Sequence, residues 1–141
     1  ALQKAVPHLP DGLLARLRQN LEEATVARQV SSERLDQLEQ ELHVDLLGRC
    51  GNQALLRAVS LPQALLVAHH FLYRRTADLF ESEPFLPEHL KVFDCLQRQD
   101  VAGACDALTE HLKVSRHRAM LRIHAVAQTI KPAELPYLER L

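Results

Sequence analysis

Apolar residues recur along this chain at three- and four-residue spacings, interrupted by strong stop signals, and they almost never alternate. That period is helical, because positions i, i+3, i+4 and i+7 share one face of a helix. Val, Ile, Thr and Tyr form no alternating run and glycine is scarce, so strands have almost no signal. Ala1 to Val6 reads as the end of a helix, stopped by the Pro7–Pro10 segment. Asp11 is placed to cap a second helix that carries Leu13, Leu14, Leu17 and Leu21 and runs to about Arg28. Ser31 or Ser32 caps a third, with Glu33 in its first turn, where the helix dipole favours an acid. Leu35, Leu38, Leu42 and Leu46 form its stripe, and it ends near Cys50. Gly51 suits a C′ position and Asn52 the next N-cap, so two helices join here with almost no loop.

A short helix is predicted over Gln53–Val59, and Pro62 stands at the first position of a long one from Gln63 to about Leu79. Glu81–Pro87 carries two prolines and reads as a loop, followed by a helix from about Glu88 to Arg98. Asp100 caps the last long helix, which runs to about Thr129 and leaves a polar tail with Pro132 and Pro136. There is no internal repeat and no low-complexity tract. The expected fold is all-α, an antiparallel bundle or barrel of six to seven helices.

Composition narrows the class. A chain of 141 residues has room for one core and one domain. Hydrophobic residues at 47% and charged residues at 25% exclude a disordered tail and a collagen. No apolar run approaches the roughly 18 residues of a membrane span, and no membrane partner is expected. Lys plus Arg number 17 against 18 acids, so this chain by itself makes a poor duplex-binding surface. Cys50, Cys95 and Cys105 have no metal-ligand spacing and read as small hydrophobes in a reducing cytoplasm. Ala1 to Pro10 lacks the basic-then-apolar layout of a secretory signal. A nucleophile motif, a Gly-rich phosphate loop and a CxxC pair are all missing. The chemistry is concentrated in eight histidines.

His8, His117 and His124 are flanked by loop or basic residues and belong on solvated faces. His89 shares an apolar face with Leu86, Leu90, Phe93 and Leu96 at about 100° per residue. His111 likewise falls with Val101, Ala104, Leu108, Leu112 and Ser115. Both imidazoles therefore point inward, where a polar group needs a partner. His43 follows Glu39 by four residues, so carboxylate and imidazole stand one turn apart at the edge of the leucine stripe. One carboxylate and three imidazoles on packed helices is how bundles build metal sites, suited to Zn, Ni, Fe or Cu. The alternative from spacing alone is a set of core histidines satisfied by backbone or by one another.

The stretch Glu39-x-x-Leu42-His43, followed by Gly51-Asn52, resembles the Asp-x-x-Phe-His…Gly-Asn signature of the FCD domain, the ligand-binding half of FadR-subfamily GntR transcriptional regulators. Glu88-His89, Asp100, Ala104 and His111-Leu112 resemble the second half of that pattern, and the likeness covers roughly Asp11 to Arg118. The resemblance implies Glu39, His43, His89 and His111 as ligands of a divalent ion, Zn or Ni first, inside an all-helical barrel. It implies a small carboxylate effector completing the ion's shell, and a homodimer. It also implies that DNA is contacted only through an N-terminal winged-helix domain outside this chain. The family's first helix would be missing here or reduced to Ala1–Val6. Glu39 stands where the family has Asp, and Leu42 where it has Phe. Asn52 and Arg57 are candidate effector contacts, Asn52 having an N-cap role as the alternative. His69, His70, Tyr73, Arg74 and Arg75 lie in the same region, and Leu65, Leu66, Phe71, Leu72 and Phe80 read as core or dimer surface. Competing classes are a metal-dependent helical hydrolase and a ligand-free dimerisation module. If histidines hold the ion, protonation near their ordinary pKa of about 6.5 should weaken it between pH about 7.5 and about 5.5.

Overall fold

Leu17 and Leu21, Leu38, Leu42 and Leu46, and Val92 and Phe93 are each 2% exposed or less, so the leucine stripes meet in one core. The computed structural model describes residues 1–27, 30–58, 72, 75, 76, 79 and 85–129. Among them there are helices and no strand. These are α1 (Leu2–Ala5, prolonged by a 3-10 turn over Val6–His8), α2 (Leu13–Val26), α3 (Ser32–Gln40), α4 (53–58), α5 (Phe85–Gln97) and α6 (Val101–Thr129). The fold is an all-α bundle. Helix α5 packs on both α6 and α2, and α1 packs on α6 and on the segment that follows α3. A short turn joins α5 to α6 and sends them back antiparallel.

Several ends are set as the sequence predicts. Ser31 Oγ accepts from the Arg34 N–H at 3.2 Å and caps α3. Gly51 has φ 64°, and Asn52 Oδ1 accepts from the Leu55 N–H at 2.9 Å to start α4. Asp100 Oδ1 accepts from the Gly103 N–H at 2.8 Å at the head of α6.

Three expectations are corrected. Asp11 does not cap α2. Gly12, at φ 74°, turns the chain instead, and backbone carbonyls of Pro10 and Gly12 take up the Leu13 and Arg16 N–H groups. Helix α5 begins at Phe85, inside the segment predicted as loop. Pro87 is its third residue, where an N–H would have no intrahelical acceptor, so proline costs nothing there. Finally, the helix expected to run unbroken to Cys50 changes pitch. It is π-helical over Glu41–Leu46 and 3-10 over Leu47–Cys50. Widening the coil puts His43 and Leu47 into the interior beside Leu42 and Leu46. The helix predicted over Gln63–Leu79 lies outside the described residues apart from 72, 75, 76 and 79. The stretch 81–84 and the tail beyond Thr129 also lie outside them.

Candidate metal centre

Glu39 and His43 leave the end of α3 one turn apart, at the point where the helix widens. His89 comes from α5 and His111 from α6, and both are buried, at 0% and 2% exposure. The sequence pattern put His89 and His111 on inward faces and Glu39 and His43 at the edge of the leucine stripe, and the structure brings all four together. Each offers one ligand atom, and the four atoms lie within 4.8 Å of one another. His89 Nε2 is 3.2 Å and His43 Nε2 3.3 Å from His111 Nε2. The Glu39 carboxylate closes the group, with Oε2 3.4 Å from His43 Nε2 and Oε1 3.8 Å from His89 Nε2. The rings of His43 and His111 stack at 5.3 Å, and His89 presents itself edge-on to both. Phe85 covers the other side of His89.

The donor set fits a divalent ion. Four ligands about 2.0–2.1 Å from one tetrahedral centre lie roughly 3.3–3.4 Å from each other, which is the spacing of these nitrogens. Without a cation, three imidazole nitrogens aimed at one point are poorly matched as donors and acceptors. His89 Nδ1 is also buried with no partner among the described residues. Burial disfavours the charged imidazolium. It lowers His43 to about 4, helped by the neighbouring His111, and pushes His89 well below its ordinary value. His111 is lowered by burial despite the opposing pull of Glu88. Neutral imidazoles with free lone pairs are the form a metal takes.

One part of the site escapes sequence reasoning. Glu88 Oε2 lies 2.7 Å from His111 Nδ1, and Arg118 grips the same carboxylate with two N–H groups at 2.7 and 2.8 Å. Ser115 Oγ accepts from Arg118 at 3.0 Å. Burial alone would raise Glu88, but the hydrogen bonds from Arg118 and His111 outweigh it and hold the carboxyl below its ordinary pKa. Spacing held a signal. His111, Ser115, Arg118 and Arg122 recur at four, three and four residues along α6. Arg122 is 1% exposed and donates to the carbonyl and hydroxyl of Thr76. The two candidate effector contacts, Asn52 and Arg57, are not among the four ligand residues. Asn52 spends its side-chain oxygen on the cap of α4, and Arg57 is exposed. His8, His117 and His124 are exposed, as expected. His69, His70, Tyr73 and Arg74 lie outside the described residues.

The FCD domain family model matches residues 1–114. This chain belongs to the FCD domain family. No curated protein and no solved structure matches it significantly. The matched FCD region contains all four cluster residues, while Ser115, Arg118 and Arg122 lie beyond it. No described helix of this FCD domain is long and apolar enough to cross a membrane.

Proposed function

We propose that this FCD domain is the effector-sensing part of a bacterial GntR-type transcriptional regulator of the FadR subfamily. Glu39, His43, His89 and His111 hold one divalent ion, Zn or Ni first, and a small carboxylate is the effector. The observation that carries this reading is the convergence of four ligand atoms within 4.8 Å at the junction of three helices. A bound ion supplies a fixed positive charge able to take an anionic ligand in an interior that otherwise repels one. The side chains do the rest. Glu39 offsets part of the ion's charge, the three imidazoles set its position, and buried Phe85, packed on the His89 ring, keeps water from that side. Because the ligands come from α3, α5 and α6, occupancy ties the packing of these helices together. DNA contact falls to a winged-helix domain N-terminal to this one, consistent with a net charge of −1 here.

A hydrolytic enzyme reading needs a carboxylate base beside the ion. Glu88 is already committed to Arg118 and His111, which favours the sensor. The test is the metal content of the purified protein, followed by a thermal-shift screen of small carboxylates with and without Zn or Ni. Stabilisation by a carboxylate only when metal is present supports the reading. A protein that binds no divalent ion contradicts it.

A further inference from the structure

Glu88 and Arg118 sit against the cluster without contributing a ligand, and the geometry determines what they do to His111. A guanidinium never gives up its proton in a protein, and this one lays two N–H groups along the two oxygens of Glu88. Such a fork is satisfied in full only by a carboxylate, which accepts and does not donate. The hydrogen between Glu88 Oε2 and His111 Nδ1, 2.7 Å apart, therefore belongs to His111. A neutral imidazole carries one N–H, so Nε2 of His111 is left bare, facing Nε2 of His43 and of His89.

We propose that Glu88, clamped by Arg118, is a positioning residue that fixes the tautomer and aim of His111, so that its Nε2 is a ready ligand atom before any ion arrives. This rests on the metal reading of the cluster given above. The three histidines are not equivalent in this respect. His89 has no partner on Nδ1 among the described residues, so nothing there selects its tautomer. His111 is the pre-set acceptor, and a neighbouring imidazole can donate to it in the metal-free state. Ion binding then requires that neighbour, not His111, to move its proton to Nδ1. The pair also carries the arrangement from α5 to α6, because Glu88 lies on one helix while His111, Ser115 and Arg118 lie on the other.

Two measurements test this. In the metal-free chain at neutral pH, long-range proton–nitrogen NMR of the histidine rings reads the tautomer directly. His111 is expected with hydrogen on Nδ1, and hydrogen on Nε2 would overturn the proposal whether or not the protein binds metal. The second is Glu88→Gln. An amide has a single acceptor oxygen, which Arg118 claims, turning the NH2 toward His111 Nδ1 and driving the hydrogen to Nε2. Zn affinity should fall by about 10- to 100-fold, as for other partners of metal-bound histidines, while Glu88→Asp, which keeps the charge, should retain more of it. Unchanged affinity in Glu88→Gln would overturn the proposal. A parent protein without metal affinity would instead defeat the metal reading, and the NMR result would still decide the role of Glu88.

Discussion

Glu39 reaches the imidazoles of His43 and His89 with both carboxylate oxygens, at 3.4 and 3.8 Å, and that reach makes it the most informative single residue to change. Glu39→Gln keeps the shape and removes the charge, so metal affinity should drop by about tenfold or more in this buried setting. The family resemblance implies that Asp would bind as well as Glu, or better. We expect instead that one methylene less draws the oxygens back from both nitrogens, so that Glu39→Asp also binds more weakly. Isothermal titration of Zn into the three proteins checks both, and equal affinities would remove Glu39 from the ligand set. The histidines set the pH response. Their folded-state pKa values lie below the ordinary 6.5, with His43 at about 4. The unfolded chain takes up protons first as pH falls, so metal-free stability should be full above about 6.5 and decline toward about 4. Denaturant midpoints across that window test it, and a flat profile would contradict it. Protons also compete with metal later than unperturbed histidines would allow, so the loss of affinity should set in at lower pH than their ordinary pKa of about 6.5 implies. The inward aim of His89 and His111 was legible from helical spacing, while His43, read at the edge of the leucine stripe, is buried. Arg118 was not, because Lys113, Arg116 and His117 surround it and make that stretch of α6 resemble a solvated basic face.

Helix ends carry the next level of information, and the turn between α5 and α6 shows it best. The Asp100 N–H donates to the Cys95 carbonyl at 2.9 Å and the Gln99 N–H to Leu96 at 3.0 Å, a Schellman closure with Gln99 in the left-handed position at φ 59°. A side chain is strained there, so Gln99→Gly should stabilise the domain by about 1 kcal/mol. Asp100→Ala removes the cap of α6 and should cost about 1 kcal/mol. Thermal or urea unfolding measures both, and the first change lowering stability would contradict the strain argument. Caps at Ser31, Asn52 and Asp100 were legible because each depends on one side chain and the backbone next to it. The pitch change after Gln40 was not. Leu35, Leu38, Leu42 and Leu46 fit an ordinary helix, and because Leu47 is also apolar, an extra residue in the turn leaves no mark on the pattern. The early start of α5 was missed for a related reason. Pro87 breaks a helix interior but is tolerated in a first turn, and composition does not separate the two.

For the whole molecule, the candidate site lies where the end of α3 meets α5 and α6, so a bound ion would tie the packing of these helices together. Leu112, Met120 and Ile123 share one side of α6 and are 46–52% exposed, and we propose that a second copy packs there. Sedimentation is expected to give a dimer at micromolar concentration, and a 16.0 kDa species would contradict that for this chain. The fold class was readable from periodicity alone and the four site residues from the family resemblance, whereas the distances between them needed the packing. The central claim is that this convergence holds a divalent ion. Unfolding of the chelator-treated protein with and without Zn tests it most directly. At a hundredfold excess over Kd, binding to the folded state adds about 2.7 kcal/mol, a rise in Tm on the order of ten degrees. The account predicts that rise in the parent chain and its loss in both His89→Ala and His111→Ala. Melting curves that coincide with and without metal would contradict it.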